Sequence, residues 1–317
     1  MTRRESVIAA IEHQETGHIP YCFDFTPEAE EKLRGFYGCE DVGAFIGNCI
    51  RDVPGVWWRF AEEPEEPEER RAPGVPVRVP RVIGAGNYDG MQEAIARLRE
   101  TTDAFLLVRF YASLFEKAWF WRGMENLLTD MILQEEWCEA FFERIVTADL
   151  MSLELMLAEE VDGVLLGCDW GSQQALLMGP ALRHKYIGPR HARMFRKIRE
   201  AVKYAFLHSC GNILAGLPEV VEMGVQVLNP AQPECMDIGR LKDEFGASLT
   251  FWGGVSTQRT LPYGTPEEVR AETREVAARL GRGGGYILAP AQGVQGDVPV
   301  ENIVAMIEVA QELMEGQ

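Results

Sequence analysis

Short apolar runs rich in β-branched and aromatic residues recur along the chain, separated by stretches with helical spacing. They fall at 19–25 (IPYCFDF), 76–84 (PVRVPRVIG), 104–110 (AFLLVRF), 162–168 (DGVLLGC), 204–208 (YAFLH), 225–229 (VQVLN), 248–253 (SLTFWG) and 285–290 (GYILAP). Near-continuous apolar strands that alternate with helices are the pattern of a buried parallel sheet. Helix starts are explicit. Thr2 and Glu5 form a capping-box pair, and Thr265-Pro266-Glu267-Glu268 repeats it with proline at the first helical position. The second of these helices carries Val269, Thr273, Val276, Ala277 and Leu280 on one stripe and ends at Gly281. A last helix begins near Pro299, with Val300, Ile303, Val304, Ile307, Ala310 and Met314 at helical spacing.

Eight strands over this length predict a (β/α)8 TIM barrel with an N-terminal helical extension, rather than an open doubly wound sheet. Neither GxGxxG nor GxxxxGK[ST] is present to support the open sheet. The expected organisation is one domain over 1–317, with a loop-rich insertion around 40–100. Within it, EEPEEPEE at 62–69 followed by Arg70-Arg71 reads as a solvated loop, because prolines break helices and like charges repel.

Of the 317 residues, 31 are Lys or Arg and 49 are Asp or Glu, a net charge of −18. Excess acid disfavours nucleic acid and anionic membrane as partners. No apolar run reaches the length of a membrane span, and the N-terminus lacks the apolar stretch of a signal peptide. The 7 cysteines are scattered, odd in number and free of CxxC spacing, which points to a reducing compartment and a cytoplasmic protein.

In a barrel, chemistry gathers where strands end and the following loops begin. At the end of 204–208, His208 and Cys210 are two residues apart and face the same side, a pair suited to zinc. Two ligands fall short of the three that zinc needs, so a buried cysteine beside a hydrogen-bonded histidine competes with that reading. Asp169 follows a wholly apolar strand and is a candidate proton donor, base or hydrogen-bond anchor, or else a helix cap. Glu234 and Cys235, in NPAQPEC after the strand at 225–229, are further candidate ligands. Asp24, Gln173, Asn229, Trp252 and Gln292 stand at other strand ends as candidate substrate contacts.

In this order, the segments RRESVIAAIEHQETGHIP, SLFEKAWFWRGMENLL, DWGSQ with its following GP, HSCGN, FWGGVSTQ, and GGGYILAP with DVPVENI resemble the uroporphyrinogen decarboxylase superfamily. The resemblance runs over about 3–25 and 104–315. That superfamily holds decarboxylases and cobalamin-dependent methyltransferases on a (β/α)8 barrel. The decarboxylases carry an arginine-rich signature after the first strand. Here IPYCFDFTPEAEEKLRGFY has only Lys32 and Arg34, both in the following helix, which turns the resemblance toward the methyltransferases. That branch implies zinc at a His-x-Cys pair and a later cysteine. His208 and Cys210 match the pair; the later position falls near Ala291-Gln292, so Asp169, Glu234 or Cys235 would complete the site. The resemblance further implies a small-molecule substrate, a corrinoid carried by a partner protein, and allows a homodimer. In the expected roles, Asp169 and His208 are catalytic. The alternatives are a decarboxylase, needing a cationic pocket with Arg109, Arg122 and Arg183 as its candidates, or a non-catalytic barrel binding a tetrapyrrole or small metabolite.

Overall fold

The computed structural model describes residues 1–53 and 90–316. Among these residues seven strands form one sheet in sequential order: β1 Ile50–Asp52, β2 Phe105–Phe110, β3 Gly163–Gly167, β4 Tyr204–His208, β5 Val227–Ala231, β6 Thr250–Val255 and β7 Tyr286–Pro290. All neighbours are parallel, so successive strands are joined by crossovers, and helices pack outside a curled, TIM-barrel-like α/β sheet. Strands β3, β6 and β7 are buried along their whole length, which explains their unbroken apolar sequence.

Strands β2 to β7 coincide with six of the eight expected runs. The run at 76–84 and the acidic loop at 62–69 lie outside the described residues. The run at 19–25 is not a regular strand. It makes isolated parallel bridges, Tyr21 to Leu288 and Phe25 to Val294. Its backbone still bonds on both sides: Cys22 N donates to Leu288 O, and Cys49 N donates to Tyr21 O. The ladder is interrupted because the Asn48 side chain takes both polar groups of Phe23, accepting from its N–H at 3.0 Å and donating to its carbonyl at 2.9 Å. Strand β1 was not expected; three residues are too few to display a period. Eight regular strands are therefore not formed among the described residues.

Both capping boxes form as expected, at Thr2 and at Thr265, opening the helices Arg3–Ile11 and Pro266–Gly281. The last helix runs Val300–Glu315 with Pro299 at its N-cap. No helix among the described residues is long and apolar enough to cross a membrane. All seven cysteines are free.

Alternate strands contribute one aromatic layer of the core. Phe105 of β2, Phe206 of β4 and Trp252 of β6 are fully buried or nearly so. Phe206 sits 5.7 Å from Phe105 and 6.1 Å from Trp252, between ring centroids. Gly163 of β3 leaves them room: a Cβ there would lie 2.9 Å from the Phe206 ring. Phe206→Ala is expected to cost about 3–5 kcal/mol. Urea unfolding followed by circular dichroism checks this; a loss near zero would mean that the layer does not hold the strands together.

Candidate functional site

The sheet register builds the centre of the site. Gly167, His208 and Asn229 are partners across β3, β4 and β5, at the C-terminal ends of all three strands or close to them. Asn229 Oδ1 lies 2.6 Å from His208 Nδ1. An amide oxygen can only accept, so Nδ1 carries the proton and the Nε2 lone pair is left free. Burial lowers the pKa of His208, favouring the neutral ring. Tyr111 stands edge-on to that ring at 5.2 Å. Gly167 admits it, since a Cβ at 167 would lie 2.3 Å from Tyr111 Cδ1.

The loops leaving β3 and β4 pack backbone on backbone. A Cβ on Gly171 would lie 2.5 Å from Cys210 O, and one on Gly211, whose φ is +81°, would lie 2.6 Å from the Gly171 carbonyl carbon. Only glycine allows this approach. It brings Asp169 Oδ1 within 2.8 Å of the Cys210 N–H and 3.7 Å of His208 Nε2. Cys210 Sγ lies 3.3 Å from His208 Nε2 and accepts from Gln292 Nε2 at 2.8 Å. Burial first, and then the Asp169 carboxylate, push the Cys210 thiol up to about 12. The same two causes raise Glu116, in the first turn of the helix Phe115–Arg122 after β2, to about 8.

A cavity of about 210 Å³ opens beside this centre, lined by Cys22, Asp24, Arg109, Tyr111, His208, Asn229, Trp252 and residues 289–293. Arg109 of β2 grips both Asp24 oxygens at 2.7 and 2.9 Å and reaches Asp52 at 2.8 Å through Nε. Trp252 is buried, its indole N–H directed at Cys22 O, 3.4 Å away.

Asp24, Asn229, Trp252 and Gln292 therefore meet around His208 and Cys210. Gln173, Glu234 and Cys235 do not. Cys235 donates to Gln173 Oε1 at 2.9 Å, and Gln173 approaches Gln258. Glu234 accepts from the Ser256 hydroxyl and the Gln258 N–H. Of the three residues expected to complete the pair, Asp169 is the one beside it and Glu234 and Cys235 stand apart: among the described residues, the group that could hold a metal ion is Asp169, His208 and Cys210, whose ligand atoms lie within 4.8 Å of one another. The acid after β3 comes within reach of the pair because the two glycines let its loop settle on the next one. Arg122 and Arg183 are bonded elsewhere, to Asp130 and Glu219. Tyr111, Asp52 and Glu116 were not singled out by sequence. Tyr111 follows Arg109 by the two-residue step that keeps a strand's face, and that step was the available signal.

The family pattern described as Uroporphyrinogen decarboxylase (URO-D) matches residues 62–313. The chain belongs to the URO-D family. Its relatives in that family include a methylated-thiol--coenzyme M methyltransferase of Methanosarcina mazei, 24% identical over 236 residues, which cover 74% of this chain and 59% of that protein. A uroporphyrinogen decarboxylase of Methylococcus capsulatus is 25% identical over 170 residues, 54% of this chain and 47% of that protein. The chain thus matches less than two thirds of either relative's length. A solved methyltransferase from Methanosarcina mazei superposes with a TM-score of 0.73 over 98% of this chain and 99% of that one, at 18% identity, a likeness of fold.

In this URO-D chain, the metal-free Cys210 is expected to stay a thiol at about pH 8, and iodoacetamide should alkylate it at least about tenfold more slowly than in urea. Raising the pH should speed the reaction, and Asp169→Asn should speed it severalfold by removing a charge that opposes the thiolate. Peptide mapping by mass spectrometry after chelator treatment reads both. Equal rates in the native and unfolded chain would contradict the arrangement.

Proposed function

We propose that this chain is a methyltransferase that moves a methyl group between a small methylated compound or thiol and a corrinoid carried by a partner protein. The observation that carries the reading is the convergence of Asp169 Oδ1, His208 Nε2 and Cys210 Sγ beside the cavity. Zinc bonds nitrogen and oxygen at about 2.0–2.2 Å and sulfur at about 2.3 Å, so donors of a tetrahedral site stand about 3.3–3.8 Å apart. The separations of 3.3 Å from His208 Nε2 to Cys210 Sγ and 3.7 Å from Nε2 to Asp169 Oδ1 fit that set. Three protein ligands are the number that a catalytic site uses, leaving one position for substrate. When bound, zinc supplies Lewis acidity, lowering a thiol's pKa or polarising the heteroatom that bears the methyl group.

The chain's own residues divide the remaining work. Asn229 fixes the His208 tautomer, so Nε2 is presented as a lone pair without reorganisation. Gln292 occupies the place where a second cysteine was expected and donates to Cys210 Sγ. A hydrogen bond to sulfur favours the thiolate and tempers its charge, so a single sulfur ligand serves here. Asp169 accepts from the Cys210 backbone N–H and so holds that loop end in place. Trp252 and Tyr111 wall the cavity with apolar surface that keeps water from the methyl group. The methyltransferase relative supports this reading, and among the described residues lining the cavity there is no free cationic cluster, which weighs against porphyrinogen decarboxylation.

The purified chain should carry about one zinc by plasma mass spectrometry, lost in His208→Ala and Cys210→Ala. Methyl transfer between a methylcorrinoid and a thiol should fall at least about a hundredfold in both variants. A chain that holds neither metal nor corrinoid protein and moves no methyl group would contradict the proposal.

A further inference from the structure

The Arg109 cluster decides what charge a ligand meets in the cavity. The guanidinium is the inner group: its side chain is 12% exposed, against 43% for Asp24 and 48% for Asp52. Nε donates to Asp52, Nη2 to one Asp24 oxygen, and Nη1 to the other and to the Tyr111 hydroxyl at 3.3 Å. The guanidinium carbon also lies over the Trp252 ring, 5.2 Å from its centroid. No bidentate edge is left for a substrate carboxylate, phosphate or sulfonate. Asp24, in contrast, accepts two bonds where a carboxylate can accept about four, and it lines the cavity.

The charges sum the same way. The cluster as a whole, Asp24 and Asp52 against Arg109, carries one net negative charge; of its acids Asp24 lines the cavity and Asp52 stands behind Arg109, and Arg109 and His208 are the only basic residues among the described residues lining it. A dication at Asp169 and Cys210 would be balanced by their own two charges, so the surplus on the organic side of the site remains. At about 30 Å³ per water, the 210 Å³ holds the equivalent of about seven waters, enough for one small polyatomic group. Tyr111 and Trp252 add aromatic surface, which suits a weakly hydrated cation.

We infer that the cavity selects a small methylated cation, a quaternary ammonium or sulfonium group without carboxylate or sulfonate, and that Asp24 sets this preference. As a statement about substrate it rests on the methyl-transfer reading of the same site; as a statement about binding it stands without turnover. Charge falling on the half-exposed carboxylates attracts an onium group and opposes an anion, and both effects weaken as salt is added.

Calorimetric titration of the full chain with tetramethylammonium, tert-butanol and methanesulfonate tests this with ligands of one shape and three charges. Tetramethylammonium is expected to bind at least about tenfold more tightly than either of the others, with an affinity that falls as salt rises. Asp24→Asn should bring the cation-to-alcohol ratio toward one, and Asp52→Asn should lower it by a smaller factor. Thermal melts and circular dichroism of both variants show whether the fold is kept, and wild-type ratios do not depend on them. Equal or tighter binding of methanesulfonate, equal binding of tert-butanol, or no saturable binding of the cation would each overturn the inference. Cation binding without methyl transfer would uphold the selectivity and count against the function proposed above.

Discussion

The site depends on one register. Parallel pairing sets Gly167, His208 and Asn229 side by side across three adjacent strands. A shift of one residue in β4 would turn His208 to the opposite face of the sheet and put Leu207 in its place. With the register held, the Asn229 amide defines the histidine tautomer, and the missing side chain at 167 admits the Tyr111 ring. The contact between the loops at Gly171 and Gly211 then carries Asp169 to Cys210. Each step uses rigid backbone, so the three donor atoms are placed before any ligand arrives.

Burial works on this centre in one direction. It favours the uncharged form of both His208 and Cys210, and Asp169 adds to the effect on the thiol. Such a pair is inert toward solvent protons near neutral pH. A cation able to displace the thiol proton would convert it into a charged donor, the behaviour expected of a metal site whose affinity rises with pH. The neighbouring cluster has the opposite design. Arg109 is fully engaged by Asp24 and Asp52, so its charge is kept within the wall and carboxylate faces the opening.

Much of this was legible in the sequence. The runs that became β2 to β7 are long and almost uniformly apolar because both faces of those strands are covered, and continuous burial leaves a continuous signal. The segment at 19–25 carries the same signal but is broken by Asn48, a side chain about 25 residues away whose hydrogen bonds no local pattern encodes. Strand β1 has only three residues and offered no period. In the site, the His208–Cys210 spacing was readable because both residues lie at one strand end. Asp169 was readable as one of three possible partners, and the choice among them was not, since its approach depends on glycines from two different loops. Glu234 and Cys235 looked equivalent to it in sequence; the bonds of Glu234 to Ser256 and Gln258, and of Cys235 to Gln173, hold them apart.

The most direct test of the central claim is X-ray absorption at the zinc edge of the zinc-loaded chain. The account predicts a first shell with a single sulfur and otherwise nitrogen and oxygen, and a shell that loses its sulfur in Cys210→Ala. A shell with two sulfurs, or one without sulfur in the wild type, would contradict the assignment of Asp169, His208 and Cys210 as the donor set.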